Sequence, residues 1–131
     1  MANKGIDSER KCVTGLYNEG FVAVRTAGSG AGSKQPKPDI LAGKNGKQFA
    51  IELKTSSNNE IYIKRTQLCG LVEFAKRFGA IPMVCVKFKR LPYVFLRIND
   101  VKRCGAVTHR VNRKEAIKQI DKNKYRLKDY S

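Results

Sequence analysis

Apolar residues recur with two different periods along the chain. Residues 8–19 and 65–78 carry them at helical spacing, and Gly20 and Gly79, a residue type that commonly ends helices, follow the two segments. Short apolar runs rich in β-branched and aromatic residues predict strands at residues 21–26, 39–43, 47–55, 81–88 and 93–98.

Local signals refine the boundaries of these elements. Asp7 or Ser8 is predicted to cap the first helix, and Asn45-Gly46 predicts a tight hairpin between two strands. The segment "EIYIK" at 60–64 fits either a short strand or an extended lead-in to the second helix. From Val101 onward the pattern weakens and predicts no clear element.

The predicted order is α-β-β-β-α-β-β, which favours an α/β fold with a central mixed β-sheet flanked by helices. The chain has 131 residues, so we expect a single domain over 1–131 that buries a core without disulfides or metal. The basic segment after about residue 100 is expected to be a less ordered tail.

Lys and Arg number 27 against 11 Asp and Glu, a formal net charge of +16. Such an excess points to a polyanionic partner, and nucleic acid is favoured over a membrane surface. No apolar run approaches the ~20 residues of a membrane span, and residues 1–11 lack a signal-peptide core. We therefore expect an intracellular, cytoplasmic protein associated with the nucleoid and with no membrane partner.

The cysteines lie at positions 12, 69, 85 and 104 and form no C-x-x-C pair, and His109 is the single histidine. This spacing excludes the usual zinc motifs and favours ordinary reduced thiols.

The stretch "RTAGSGAGSKQPKPDI" at 25–40 resembles a phosphate-binding loop at first sight. Counted from Gly28, the sixth position of a P-loop or dinucleotide fingerprint is Ser33 rather than glycine. Pro36 and Pro38 also prevent a helix from opening directly after the glycines. We therefore interpret the stretch as a flexible loop between two strands.

Acidic residues are scarce, which makes the placement of Asp39 and Glu52 informative. In the strand at 47–55, Phe49, Ile51 and Leu53 should face the core, while Ala50, Glu52 and Lys54 face the other way. The Asn45-Gly46 hairpin folds this strand back beside Asp39. The residues Asp39, Glu52 and Lys54 are therefore predicted to converge.

Such a patch has the groups needed for phosphodiester hydrolysis. Two carboxylates can hold one or two Mg²⁺ ions, which activate water and neutralise charge on a phosphate. Lys54 could orient the water or stabilise the transition state. The alternative is a solvated strand face on which Glu52 and Lys54 merely contact each other.

Pro38-Asp39 followed by Glu52-Leu53-Lys54 resembles the P-D…(D/E)-x-K motif of restriction-endonuclease-like nucleases. More specifically, the order of motifs over residues 4 to 90 is similar to that of the archaeal Holliday junction resolvases. The further residues that carry this resemblance are Glu9-Arg10, Arg25 before a Gly/Ser loop, Gln67, Phe74 and Phe78.

The resemblance implies a Mg²⁺-dependent endonuclease that resolves four-way DNA junctions as a homodimer, in recombination and repair. It implies that Glu9, Asp39 and Glu52 serve the metal site and that Lys54 is catalytic. Ser29 aligns with a loop serine near the scissile phosphate, and Ser33 is the alternative.

The resemblance also implies that Arg10 and Arg25 touch DNA. Further basic candidates for DNA binding are Lys4, Lys34, Lys64 and Arg65. Phe74 and Phe78, four residues apart on the second helix, fit either a wide core face or a dimer contact.

Two other functions stay open at the level of sequence. One is a nuclease of the same fold that cuts duplex or damaged DNA. The other is a non-catalytic, basic nucleic-acid-binding protein in which Asp39 and Glu52 are incidental.

Overall fold

The computed structural model describes residues 4–26, 35–103 and 107–131. Three α-helices are present in this part of the chain: α1 (Lys4–Asn18), α2 (Arg65–Phe78) and α3 (Arg113–Asp121). The strands are β1 (Val22–Arg25), β2 (Ile40–Lys44), β3 (Lys47–Ser56), β4 (Glu60–Lys64), β5 (Ile81–Phe88), β6 (Val94–Arg97), β7 (Lys102–Arg103) and β8 (Thr108–Asn112).

A five-stranded sheet with the order β1-β2-β3-β5-β6 forms the centre of the fold. The β3 and β5 strands are parallel and are connected through β4 and α2, whereas the other neighbouring pairs are antiparallel. The expectation of a central mixed sheet flanked by helices is therefore confirmed.

The first helix begins earlier than the sequence pattern indicated. It starts at Lys4, so Asp7 and Ser8 lie inside the helix and the prediction that one of them caps it is wrong. Asp7 lies in the first turn, where a carboxylate favours the positive end of the helix dipole. Gly20, with φ of 94°, lies just after the end of the helix as expected.

The Asn45-Gly46 hairpin is confirmed. Both residues have positive φ, 51° and 83°, which is the backbone of the type I′ turn. The turn joins β2 to β3 in a register that pairs Lys44 with Lys47 and Ile40 with Ile51.

The sheet is covered on both faces. Cys12 and Leu16 of α1 pack with Phe49, Ile51 and Leu53 on one face. On the other face, the buried α2 residues pack against Ala50 and β5; they are Leu68, Leu71 and Ala75.

Ala50 was expected to point away from the core together with Glu52 and Lys54. Ala50 is fully buried, so this expectation is wrong for Ala50. The reason is that a central strand with a parallel neighbour is enclosed from both sides.

The α2 helix has the predicted bounds, and Gly79 follows it with φ of 85°. Val72 of the same helix is 39% exposed, so not all of its apolar residues face the core.

The C-terminal region contains regular elements that the sequence pattern did not reveal. A second, three-stranded sheet has the order β4-β8-β7, so 60–64 is a strand rather than an extended lead-in. Asn112 caps α3 by accepting a hydrogen bond from Glu115 N at 2.8 Å. Val111, Ala116, Leu127 and Tyr130 are buried and attach this region to the core.

None of the helices in the described residues is both long and apolar enough to span a membrane.

Candidate active site

Asp39 is held at the start of β2 by three backbone contacts. Its N–H donates to Ile51 O at 2.9 Å, and its carbonyl accepts from Thr26 N at 3.1 Å. Its carboxylate Oδ2 accepts a hydrogen bond from Leu53 N at 2.8 Å. The side chain of Asp39 is thereby tied to the strand that carries Glu52 and Lys54.

Thr26 is a positioning residue that the sequence analysis did not single out. Its hydroxyl donates to Pro38 O, and its backbone N–H holds the carbonyl of Asp39. In the sequence, the feature that could have indicated this role is the position of Thr26 directly after Arg25. Thr26 thus links the end of β1 to the Pro38-Asp39 pair.

The N-terminal half of α2 lies against the segment that leads to Asp39. A Cβ built on Gly70 would come within 2.9 Å of the Pro36 Cβ, so the lack of a side chain at position 70 permits this approach. The close contact places the start of α2 beside the segment that contains Asp39.

Glu52 and Lys54 lie two residues apart on β3 and share a face, as the sequence predicted. Lys54 Nζ is 3.8 Å from Glu52 Oε2. The Glu52 and Lys54 side chains retain 14% and 26% of their exposure, so the pair is largely enclosed. A fully solvated strand face is therefore not what the structure shows.

Burial and mutual repulsion raise the pKa of both carboxyl groups, Asp39 and Glu52. Desolvation, followed by the nearby Asp39 charge, raises the pKa of Glu52 from 4.5 to about 7. Desolvation also raises the pKa of Asp39, although the hydrogen bond from Leu53 N opposes the shift. The site consequently holds excess negative charge at neutral pH and favours a proton or a cation.

Glu9 lies on α1 next to this pair. Its Oε1 accepts a hydrogen bond from Arg25 Nε at 3.0 Å, which joins α1 to β1. Its charge contributes to the raised pKa of both Asp39 and Glu52, so the carboxylate is electrostatically part of the site.

Within residues 4–26, 35–103 and 107–131, no group of three or more His, Cys, Asp and Glu side chains is arranged to hold a metal ion. The described pair Asp39 and Glu52 nevertheless suits a hard divalent cation. Its donors are carboxylate oxygens, and a cation would relieve the repulsion that raises both pKa values. Glu9 remains a predicted third ligand whose carboxylate is engaged by Arg25.

The predicted DNA-binding residues lie in different parts of the structure. Arg10 is exposed on α1, and Lys64 and Arg65 are exposed where β4 meets α2. Lys4 begins α1, but its side chain lies outside the described part of the structure, as do Ser29, Ser33 and Lys34. The roles assigned to all of these residues stay predictions.

Phe74 and Phe78 stack on each other on α2, with ring centroids 5.4 Å apart and an interplanar angle of 17°. Phe74 packs against the core, whereas Phe78 is 50% exposed. Phe78 also shares a surface cleft with Val22 and Val24 of β1, which are 70% and 52% exposed. We call the surface formed by Val22, Val24 and Phe78 the β1–α2 patch.

A mixed sheet that brings a P-D pair beside an E-x-K segment defines a restriction-endonuclease-like nuclease fold. A family model described as archaeal Holliday junction resolvase (hjc) matches residues 1–125. The chain belongs to this family, and the expected family and enzyme class, an endodeoxyribonuclease, are thereby confirmed.

Individual relatives agree with this assignment. The crossover junction endodeoxyribonuclease Hjc of Archaeoglobus fulgidus is 37% identical over 103 residues, which cover 79% of this chain and 75% of the relative. The Hjc of Sulfolobus acidocaldarius is 37% identical over 109 residues, covering 81% and 76% of the two chains. A solved structure of the Archaeoglobus fulgidus Hjc superposes with a TM-score of 0.76 and 31% identity, covering 83% of this chain and 88% of the other.

Proposed function

We propose that this protein is a divalent-metal-dependent endonuclease that cleaves four-way DNA junctions. The observation that carries the proposal is the placement of Asp39 beside Glu52 and Lys54, with the pKa of both carboxyl groups raised. Membership of the resolvase family supports the junction as substrate, and the net charge of +16 supports a DNA partner.

Asp39 and Glu52 would hold the metal ion, which we propose to be Mg²⁺, with Glu9 as a further candidate ligand. A bound divalent ion supplies Lewis-acid stabilisation of the charge on the phosphate and favours deprotonation of water. The backbone contacts of Asp39 keep its carboxylate in place for this role.

Lys54 is the proposed catalytic cation. Its ammonium group lies 3.8 Å from Glu52 Oε2, on the same face of β3, so it is already located beside the carboxylates. From there it can donate a hydrogen bond to a phosphate oxygen and stabilise charge that develops in the transition state. The serine that we propose to assist at the phosphate is Ser29.

We also propose that two copies act together. A four-way junction has approximate two-fold symmetry and needs two nicks, which a C2 dimer with identical sites provides. The exposed β1–α2 patch supports this part of the proposal, because contiguous apolar surface typically marks an interface.

The test is cleavage of a synthetic four-way junction and of a linear duplex of the same sequences, with Mg²⁺ and with EDTA at matched salt. We expect Mg²⁺-dependent nicks at symmetry-related positions of the junction and little cleavage of the duplex. Equal cleavage of both DNAs would favour a general nuclease, and absence of cleavage on either would contradict the enzymatic proposal.

A further inference from the structure

The outer face of the three-stranded sheet carries an exposed aromatic ring among basic residues. Ile61 and Ile63 of β4 are buried, so the alternating residues of that strand point outward. Tyr62 is 57% exposed there, and Lys64 follows two residues later on the same face.

The neighbouring strand extends this face. Tyr62 pairs in register with Arg110 of β8, and Lys102 of β7 pairs with Arg110 on its other side. Val111 is buried, which places Arg110 on the outer face together with Tyr62. A single row of residues across the sheet therefore contains Tyr62 and Arg110 side by side.

Glu60 organises this row. It lies two residues before Tyr62 and accepts a hydrogen bond from the Tyr62 hydroxyl. Its Oε1 also lies 3.5 Å from Arg110 Nη1, and each of these two side chains is 36% exposed. These two contacts restrain the tyrosine and the guanidinium on the outer face.

An aromatic ring flanked by cations on an antiparallel sheet is the arrangement by which proteins bind unpaired nucleotides. We propose that this face binds an unpaired DNA base, which stacks on Tyr62 while Lys64 and Arg110 contact the flanking phosphates. The base comes either from single-stranded DNA or from a pair opened at the exchange point of a junction. Because β4 leads directly into α2, whose Gly70 packs on Pro36, the surface is linked to the segment before Asp39.

The proposed base-binding surface adds to the proposed nuclease function, but base binding does not depend on cleavage. We therefore test DNA binding in EDTA, which removes divalent metal and prevents metal-dependent cleavage. Fluorescence anisotropy measures affinity for labelled oligothymidylate and for an intact junction, using wild type, Tyr62→Leu, Tyr62→Phe and the control Tyr17→Leu. Tyr17 is a matched control because it is 70% exposed on α1.

Tyr62→Leu should weaken binding about fivefold or more, which is the lower end for loss of one base–aromatic stack. Tyr62→Phe keeps the ring and loses only the hydrogen bond to Glu60, so it should weaken binding less than Tyr62→Leu does, and Tyr17→Leu should bind as the wild type does. If Tyr62→Leu binds oligothymidylate more weakly than the wild type does, single-stranded DNA is a source of the base. If Tyr62→Leu loses affinity only for the junction, the base comes from the exchange point. Unchanged affinity of Tyr62→Leu for both DNAs would overturn the proposal.

A second measurement uses the unaltered protein. An oligothymidylate with one 5-iodouracil and a junction with one 5-iodouracil at its exchange point are each irradiated with the wild-type protein, and the crosslinked peptide is identified by mass spectrometry. We expect a crosslink at Tyr62. Crosslinks confined to other residues on both DNAs would contradict the assignment even if Tyr62→Leu failed to fold. A failure of junction cleavage would leave either binding result intact.

Discussion

The Leu53 N–H donates a hydrogen bond to Asp39 Oδ2 at 2.8 Å, across the β2–β3 hairpin. Leu53 is the middle residue of the Glu-Leu-Lys segment, and its own side chain is buried on the opposite face. This one contact fixes the Asp39 carboxylate relative to Glu52 and Lys54. The two halves of the motif are therefore held together by backbone geometry and are close to each other before DNA arrives.

The raised pKa of Glu52 predicts that this carboxylate destabilises the metal-free protein at neutral pH. An acid whose pKa is higher in the folded protein, here about 7 against 4.5, binds its proton more tightly when folded. The stability that it contributes is thus fully present below pH 4.5 and is lost as the pH rises through about 7. Glu52→Gln should raise the melting temperature at pH 8 in EDTA by about 4 °C or more.

The control for this prediction is Glu73→Gln. Glu73 is an exposed α2 carboxylate whose side chain retains 56% of its exposure beside Arg77. Its replacement should leave the difference in melting temperature between pH 5 and pH 8 unchanged. A Glu52→Gln variant that melts at or below the wild-type temperature at pH 8 would argue against the proposed repulsion.

The Glu9–Arg25 ion pair should couple α1 to β1 energetically. It is largely shielded, with side-chain exposures of 28% for Arg25 and 20% for Glu9, so its hydrogen bond should be worth about 1 kcal/mol. A double-mutant cycle with Glu9→Gln and Arg25→Met, measured by urea unfolding, gives this coupling energy.

The exposed Glu73–Arg77 pair is the matched reference for this cycle. With side chains 56% and 82% exposed, it should couple by less than about 0.5 kcal/mol. Equal coupling in the two pairs would show that the Glu9–Arg25 contact behaves as an ordinary surface pair. Arg25→Met should also weaken junction binding, because Arg25 is a proposed DNA contact.

The β1–α2 patch predicts a dimer that depends on Phe78. The Phe78 ring is half exposed beside Val22 and Val24, so burying it against a second copy would contribute hydrophobic free energy. In sedimentation velocity, the wild type should be a dimer and Phe78→Ser should shift toward monomer. Tyr17→Ser, which alters an exposed aromatic on α1, should remain dimeric. A monomeric wild type at micromolar concentration would refute this part of the account.

The loop serine gives a further prediction. Ser29→Ala should slow junction cleavage more than Ser33→Ala, while both variants bind the junction in EDTA as the wild type does. Single-turnover cleavage rates separate the two positions. A larger loss in Ser33→Ala would mean that the loop aligns four residues later than proposed.

The local patterns were sufficient to predict the hairpin and α2, because their signals lie in adjacent residues. Asn45-Gly46 has the positive φ values that the turn requires, and Gly79 has the left-handed backbone expected after a helix. The convergence of Asp39 with Glu52 followed from the same hairpin and from the two-residue period of a strand. The site was predictable to the extent that it is built from local elements.

Other features depend on contacts between residues that are distant in the sequence, so no local sequence pattern predicts them clearly. The β8 strand pairs with β4, which precedes it by more than 40 residues, and its register cannot be inferred from either segment alone. The burial of Ala50 depends on α2 packing over the second face of the sheet. Thr26 acquires its role only because β1 ends beside Pro38 and Asp39.

We propose that the Asp39–Glu52 pair, with Lys54, carries out metal-dependent cleavage of junction DNA. The most direct measurement compares wild type with Glu52→Gln on a synthetic four-way junction in Mg²⁺, with junction affinity measured separately in EDTA. We expect loss of cleavage with junction affinity retained or increased, because a carboxylate facing phosphate has been neutralised. Cleavage by Glu52→Gln at the wild-type rate would contradict the proposed role of the carboxylate pair.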